Sequence, residues 1–264
     1  MPNYQQIATR VRRKTLDLIY AAQTSHIGSN LSCVDLLTVL YTGILNIDKD
    51  LKKDRDRFVL SKGWAAAANY ILLTEKEILP KEALDSYCQP GSPLIGLVER
   101  SVRGIEASTG SMGHGLPICV GMALAAKRSG EKWRVFVLMS DGEQDCGTTW
   151  ESALLASHHK LDNLTAIIDY NRWQAIGRTN EILNLEPLAQ KWQSFGWEVR
   201  EIDGHNFGEI EGTLLKIPFA KDKPSIIIAH TIKGKGVSFM EDKLLYHYKN
   251  LSDEEYKQAI RELV

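Results

Sequence analysis

Residues 134–177 read RVFVLMSDGEQDCGTTWESALLASHHKLDNLTAIIDYNRWQAIG, and this stretch decides the predicted fold. An apolar run at residues 135–139 stops just before Asp141, and a second run at residues 164–168 stops just before Asn171. The two runs predict buried strands of a parallel sheet, and ligands bind at the carboxyl edge of such sheets. Carboxylate and amide oxygens are ligands that Mg²⁺ prefers, and Mg²⁺ is often shared with phosphate groups. The stretch therefore predicts a site for Mg²⁺ and a diphosphate between two strand ends.

The composition is that of an ordinary globular protein. The chain has 264 residues, of which 44% are hydrophobic and 25% are charged, and its formal net charge is -1. This balance does not favour nucleic acid as a partner, and no run approaches the roughly 20 apolar residues of a membrane span. The first residues contain no signal-peptide core, and the four cysteines form no CxxC pair. We therefore expect a cytoplasmic protein with no nucleic-acid partner and no membrane partner.

Predicted strands alternate with predicted helices along the whole chain. The strands are expected at residues 57–60, 135–139, 164–168, 197–202 and 225–229. The helices are expected at residues 4–23, 33–42, 65–73, 118–128, 185–195, 207–217 and 252–263. This alternation predicts an α/β fold, namely a doubly wound, mainly parallel sheet with helices on both faces. Because the sequence contains no repeat or linker, residues 1–264 are expected to form one domain.

Two further groups of residues could belong to a site. The glycine-rich loop at residues 108–115 precedes a helix and could present backbone N–H groups to an anion, although a plain loop-to-helix turn has the same pattern. Four histidines lie in polar or glycine-containing loops, and a histidine suits proton transfer because its pKa lies near neutrality. They are His26, His114, His205 and His247. Taken singly, each of them also fits a structural hydrogen-bonding role.

Several short motifs, read in order, point to a family. They are TSHIG (24–28), LSKG (60–63), STGSMGHG (108–115), SDGE with YN (140–143 and 170–171), DGH (203–205) and TIKGKGVSFME (231–241). This set resembles the thiamine-diphosphate-binding N-terminal domain of transketolases and spans nearly the whole chain. The chain looks like the separate N-terminal subunit of a split, two-chain transketolase. The expected cofactors are therefore thiamine diphosphate and Mg²⁺.

The resemblance implies a metal site. Asp141, Asn171 and the backbone carbonyl of Trp173 match the residues that hold Mg²⁺ in the family. Gly142 matches the glycine that packs against the diphosphate.

The resemblance also implies contacts to the rest of the cofactor. The expected cofactor-binding residues outside the metal site are Gly110, Ser111, Met112, His26 and His247. The two histidines match histidines near the reacting carbon of the cofactor, so they are also the expected catalytic residues. Glu151 matches an acidic residue where two subunits meet, and Lys233 is expected near the site.

Four positions depart from the family pattern. Ser140 replaces a glycine, Cys146 replaces a glutamate, and Trp64 and Leu97 each stand where the family has a histidine. The two lost histidines contact the sugar donor and the diphosphate region in the family. A site that hydrogen-bonds hydroxyl groups rejects substrates that lack them. Replacing these histidines with apolar residues should weaken selection for ordinary ketoses, so the expected donor is a 2-oxo acid or an unusual ketose.

The resemblance implies that half of the active site lies elsewhere. In this family a second domain holds the pyrimidine ring of the cofactor and carries the glutamate that activates it. The chain ends at Val264 without room for that domain. We therefore expect the partner to be a separate C-terminal subunit, in a heterotetramer with two copies of each chain, and we expect small-molecule substrates.

Three functions remain open at this point. The first is transfer of a ketol group between phosphorylated sugars, and the second is transfer of an acyl group from a 2-oxo acid in specialised metabolism. The third is a non-catalytic scaffold that binds the cofactor. The intact Asp141, Asn171 and His26 argue against the scaffold, whereas the replaced family residues keep it open.

Overall fold

The computed structural model describes residues 2–263, which contain one five-stranded sheet with every strand parallel to its neighbours. The strands are β1 (Arg57–Leu60), β2 (Val135–Ser140), β3 (Leu164–Tyr170), β4 (Glu198–Asp203) and β5 (Ser225–His230). Their order across the sheet is β1-β2-β3-β5-β4. Each begins and ends within two residues of a predicted strand, so the predicted α/β fold with a parallel sheet is confirmed.

Helices connect and cover the strands. They are α1 (Tyr4–Ala22), α2 (Ile27–Ser32), α3 (Val34–Val39), α4 (Ala66–Glu75), α5 (Gly115–Ser129), α6 (Gly147–His158), α7 (Thr179–Ile182), α8 (Leu188–Ser194), α9 (Phe207–Leu214) and α10 (Asp253–Glu262). A separate short helix, α2, precedes α3, where the helix was predicted from residue 33. Ile27 and Leu31 are fully buried one helical turn apart, so packing favours helix where the polar sequence predicted a loop.

Two other predicted helices are shorter than expected. One begins only after a proline, and the other ends before one. Helix α8 begins only at Leu188, after Pro187, and α9 ends at Leu214, ahead of Pro218. Proline disfavours the helical conformation of the residue before it, which excludes Glu186 and Ile217 from these helices.

The sheet carries a separate apolar core on each face. Successive side chains of a strand point to opposite faces. In β2, Phe136 and Leu138 belong to one core, together with residues of α1, α3, α4, α9 and α10. Val137 and Met139 belong to the other, together with residues of α5, α6 and α8. Helices therefore cover both faces, as predicted, and β2 is buried along its whole length.

The pairing of β2 with β3 determines what lies at the carboxyl edge. The register aligns Val135 with Leu164 and ends by aligning Ser140 with Asp169. The residues that follow the two strands are therefore side by side, although the sequence separates them by about thirty positions. Within residues 2–263, no helix is both long and apolar enough to cross a membrane.

Candidate active site

A cavity of about 500 Å³ opens at the carboxyl edge of the sheet. It is lined by His26, Ser29, Lys62, Trp64, Gly110, Ser111, Met112, Ser140, Asp141, Gly142, Asn171, Trp173, Gln174, Ala175, Ile176, His247 and Tyr248. Every residue predicted to hold the cofactor or the metal is in this set. The fold thus brings together residues from both ends of the chain, and the volume suits a small-molecule ligand.

Asp141 is a fully buried carboxylate in the wall of this cavity. Its Oδ1 accepts a hydrogen bond from the Gly142 N–H at 2.8 Å, and its Oδ2 accepts one from the Arg172 N–H at 2.6 Å. Burial, reinforced by the nearby Asp169 carboxylate, raises the pKa of Asp141 to about 7. A bound cation would oppose this shift and favour the charged form of the Asp141 carboxylate.

Asn171 and Trp173 lie opposite Asp141, on the loop that follows β3. Asn171 is buried, and its Oδ1 accepts a hydrogen bond from the Trp173 N–H at 3.0 Å. The Trp173 ring is fixed by Arg178, whose guanidinium carbon lies 3.9 Å from the ring centroid, and by a 2.7 Å hydrogen bond from its indole to Asp242. These contacts hold the loop in one conformation beside Asp141.

The available ligands suit a metal that is shared with phosphate. Among residues 2–263, no group of three or more His, Cys, Asp or Glu side chains could hold a metal ion. Beside Asp141, the cavity wall offers the Asn171 amide and the Trp173 backbone, and with oxygens of a ligand these would make a hard, oxygen-only set of the kind Mg²⁺ takes. Gly142 also lines the cavity and packs closely on Gln174, since a Cβ there would lie 3.2 Å from Cγ of that side chain.

Lys62 and Asp169 form a buried ion pair at the bottom of the site, and sequence reasoning missed it. Both are almost completely buried, and the Lys62 ammonium donates to the Asp169 carboxylate and to the Ser29 carbonyl oxygen at 3.0 Å. Although burial opposes charge on both groups, their mutual attraction raises the pKa of Lys62 and lowers that of Asp169. The sequence signals for Lys62 were its place in the motif LSKG (60–63) and its position two residues after a buried strand.

His26 and His247 lie together on one side of the cavity. Their ring centroids are 5.0 Å apart, and the His26 N–H donates to the His247 carbonyl oxygen at 2.8 Å. His26 has φ of 72°, a left-handed conformation that is uncommon for a residue with a side chain. The backbone contact to His247 holds it there.

The expectation of near-neutral histidine pKa values is wrong for this pair. Burial, together with the positive charges of Lys233 and Lys62, lowers the pKa of His26 to about 4 and that of His247 to about 3. Lys233 donates from Nζ to Nδ1 of His247 at 2.7 Å, and burial beside Lys62 lowers the pKa of Lys233 to about 8. Both imidazoles are therefore neutral at pH 7, and His247 carries its proton on Nε2.

The glycine-rich loop contributes to the cavity through its first half only. Gly110, with φ of 133°, packs so closely on Leu97 that a Cβ would lie 2.6 Å from Cδ2 of that leucine. Ser111 and Met112 line the cavity, whereas His114 turns back to the carbonyl oxygens of Ser111 and Met112 and does not. The structure thus separates His114 from the site histidines, although their sequence contexts are alike.

The four departures from the family pattern have different positions. Ser140 and Trp64 line the cavity, and the Trp64 ring lies 6.4 Å from the ring of His26. Leu97 is behind Gly110, and Cys146 packs under Gly113, where an added Cβ would lie 2.7 Å from it. Ser140 and Trp64 are therefore the two replacements that line the cavity, and Trp64 is the one beside His26. Glu151 lies on the exposed side of α6, away from the cavity.

Comparison with known proteins adds the family. Residues 3–263 match the family described as the thiamine diphosphate binding domain of transketolase. The chain belongs to this transketolase family. It is 42% identical to an apulose-4-phosphate transketolase subunit of Phocaeicola vulgatus, over 96% of this chain and 90% of that protein. It is also 42% identical to the 6-deoxy-6-sulfo-D-fructose transketolase subunit SqwG of a Clostridium species, over 98% and 95% of the two chains.

Long transketolases match with less than half of their own length. The human transketolase is 32% identical over 97% of this chain but only 41% of its own length. The solved transketolase from Leishmania mexicana superposes with a TM-score of 0.92 and 27% identity, over 100% of this chain and 41% of that one. This transketolase-family chain is therefore an enzyme subunit whose cofactor is thiamine diphosphate. It corresponds to one part of the long transketolases and to nearly all of the short subunits.

Proposed function

We propose that this chain is the diphosphate- and Mg²⁺-binding subunit of a two-chain transketolase-type transferase. The observation that carries the proposal is the position of Asp141, Asn171 and Trp173 in the wall of one cavity, at the ends of β2 and β3. We assign Mg²⁺ to Asp141, Asn171 and the carbonyl of Trp173, and the diphosphate to the cavity beside Gly142. The buried Lys62 and Lys233 supply positive charge on the same side, which suits an anionic ligand.

The chain's own residues have three tasks in this mechanism. When bound, thiamine diphosphate supplies the carbanion chemistry that breaks and forms the carbon–carbon bond. Gly110, Ser111 and Met112 orient the middle of the cofactor, and the metal ligands anchor its diphosphate. His26 is neutral, so it can accept a proton at one ring nitrogen and donate one at the other. His247 presents its Nε2–H as a donor, because its Nδ1 already accepts from Lys233. The two histidines are suited to proton transfer at the hydroxyl and carbonyl oxygens of the donor.

A partner subunit is part of the proposal. The relatives that this chain matches over 90% and 95% of their length are named as subunits, whereas the long transketolase chains extend well beyond the matched part. We propose that a separate C-terminal subunit holds the pyrimidine ring of the cofactor and supplies the activating glutamate. Two copies of each chain would form a cytoplasmic heterotetramer, in which residues 1–264 are a single domain.

The donor is proposed to be an unusual ketose with a terminal anionic group. The apulose-4-phosphate and 6-deoxy-6-sulfo-D-fructose relatives are named for ketoses that end in a phosphate or a sulfonate. Trp64 lines the cavity near His26, and its indole has no hydrogen-bond acceptor, so a carbon chain of the donor could pack on its ring. A 2-oxo acid is the alternative donor, since such a donor also needs few hydroxyl contacts.

The deciding experiment uses the assembled complex. The chain is co-expressed with a C-terminal transketolase subunit, and the complex is assayed with ketose phosphates, ketose sulfonates and pyruvate. Turnover of ketoses alone supports the proposal, and turnover of pyruvate alone contradicts it in favour of acyl transfer. A complex that binds thiamine diphosphate and Mg²⁺ but turns over no donor would support the scaffold function.

Trp64 is expected to control donor choice. Trp64→His restores a hydrogen-bonding group at the cavity wall, so kcat/KM for xylulose 5-phosphate should rise by about tenfold relative to the best donor of the wild-type complex. The measurement is the ratio of kcat/KM values in competition assays. Trp64→Phe, which keeps an apolar ring, is the matched control and should leave the ratio near the wild-type value. An unchanged ratio in Trp64→His would remove this residue from donor selection.

His26 and His247 are expected to affect turnover more than binding. His26→Ala and His247→Ala should each lower kcat by about 10²- to 10⁴-fold, because each removes a group that moves protons. The affinity for thiamine diphosphate, measured by calorimetry, should change far less than kcat. His114→Ala is the control, since His114 lies in a neighbouring loop but does not line the cavity. Full turnover in either site variant would contradict the assigned role.

A further inference from the structure

The motif at residues 203–205 (DGH) is not used by the proposed function. His205 follows β4 and does not line the cavity, and 12% of its side chain is exposed. Its Nε2 lies 2.8 Å from the Ile232 backbone nitrogen, and its Nδ1 lies 2.8 Å from Oδ2 of Asp35. Since Nε2 accepts the Ile232 N–H, the hydrogen of the neutral ring is on Nδ1 and is donated to Asp35.

Asp35 is itself held in place by a buried arginine. Arg12 donates to both oxygens of the Asp35 carboxylate, at 2.8 and 2.7 Å, and both side chains are almost fully buried. Although burial opposes it, the hydrogen bonds from His205 and Arg12 lower the pKa of Asp35. Arg12 also donates from Nε to the Lys235 carbonyl oxygen at 3.1 Å. The cluster Arg12–Asp35–His205 therefore contacts the segment 231–236 at two points.

Lys233 belongs to the segment 231–236 and lies on the side of that segment that faces the active-site cavity. On that side the Gly234 N–H donates to the Gly28 carbonyl oxygen at 2.9 Å, and the Thr231 hydroxyl donates to Asp169. Lys233 is 1% exposed, and its ammonium reaches Nδ1 of His247. The segment is thus held between the cluster on one side and the site on the other.

We propose that His205 is a positioning residue for the active site, which accepts the Ile232 N–H and so holds the segment 231–236 with Lys233 buried beside His247. The position of the segment follows from contacts within the chain, whereas any effect of Lys233 on activity rests on the proposed function. Loss of the acceptor leaves a partly buried N–H without a partner, which costs more than the hydrogen bond itself. The segment is then expected to open and expose the lysine.

The test measures the exposure of Lys233 in the full-length chain. The wild type, His205→Leu and His205→Gln are treated briefly with an acetylating reagent at one pH, and the modification of each lysine is measured by mass spectrometry. His205→Leu should label Lys233 about tenfold faster, since one buried hydrogen bond is lost. His205→Gln should stay near the wild-type rate because its amide oxygen can accept the Ile232 N–H. Labelling of Lys62, which lies on another loop, should not change.

A control variant and a replacement variant complete the test. His230→Leu removes a histidine that contacts Glu201 at the neighbouring strand end, and it should leave Lys233 labelling unchanged. If circular dichroism shows that His205→Leu does not fold, His205→Asn replaces it, because its shorter amide can approach Asp35 but cannot reach Ile232. Wild-type labelling of Lys233 in a folded Leu or Asn variant would overturn the proposal. Calorimetry with Mg²⁺ and thiamine diphosphate on the wild-type complex tests the proposed function separately.

Discussion

Replacing Asp141 with alanine or asparagine is expected to abolish the binding of thiamine diphosphate in the assembled complex. Substitution of residues that merely support a metal ligand typically costs about 10- to 100-fold in affinity, so removal of a charged ligand should cost more than about 100-fold. The measurement is calorimetric titration of the complex with thiamine diphosphate in the presence of Mg²⁺. Retained affinity would show that the metal is held elsewhere.

The stability of Asp141→Asn should change far less than its affinity for the cofactor. In the absence of cofactor, Asp141 is a buried carboxylate whose charge is disfavoured by burial and by Asp169. Asp141→Asn removes that charge and keeps an oxygen for one of the two N–H donors, but it turns its amide NH2 toward the other. Because the gain and the loss oppose each other, its free energy of unfolding should stay near that of the wild type. Asp141→Ala leaves both N–H groups without an acceptor and should be less stable than Asp141→Asn.

A matched control is available a few residues along the chain. Asp145 lies on the same loop but does not line the cavity, and it accepts a hydrogen bond from Gln174 at 2.6 Å. Asp145→Asn can keep that bond through its amide oxygen. It should therefore bind the cofactor with nearly wild-type affinity.

The largest expected loss of stability follows from removing Lys62. Lys62→Met leaves the Asp169 carboxylate buried without its counter-ion, and breaking a buried pair in this way costs about 3–5 kcal/mol. The measurement is the free energy of unfolding from urea titration of the chain. The double variant Lys62→Met/Asp169→Asn should recover much of the loss, because the uncompensated charge is gone.

An exposed ion pair provides the comparison for Lys62. Lys127 lies 3.0 Å from Asp162, and both side chains are about one-third exposed. Lys127→Met should therefore change the free energy of unfolding by less than about 1 kcal/mol. Similar losses in Lys62→Met and Lys127→Met would mean that the buried pair does not stabilise the site as described.

The strands and the sheet edge to which Mg²⁺ is assigned could be predicted from the sequence because both depend on local patterns. An apolar run followed at once by a polar residue marks the end of a buried strand, and this places Asp141 and Asn171 at one edge before any coordinates are known. The ends of several helices were less well predicted. Burial of Ile27 favours the short helix α2 where a loop was predicted, whereas Pro187 and Pro218 shorten the predicted α8 and α9.

The charges inside the site could not be predicted in the same way. Lys62 and Asp169 are 107 positions apart, and a lysine after a strand gives no sign that it will be buried. The neutral state of His247 depends on its burial and then on Lys233 and Lys62, which only the folded chain brings near it. The difference between His26 and His114 likewise depends on tertiary contacts, since both lie in loops with glycine and serine.

The register between β2 and β3 limits how this protein can evolve. Side chains of each strand alternate between two apolar cores, so a slip of one residue would turn every core side chain toward the wrong face. The same slip would move Asp141 and Asn171 apart by about 3.3 Å along the strands. Packing therefore excludes insertions and deletions within either strand, and they would also displace the residues to which we assign Mg²⁺. Sequence change in descendants of this gene should concentrate in the loops at the opposite edge of the sheet.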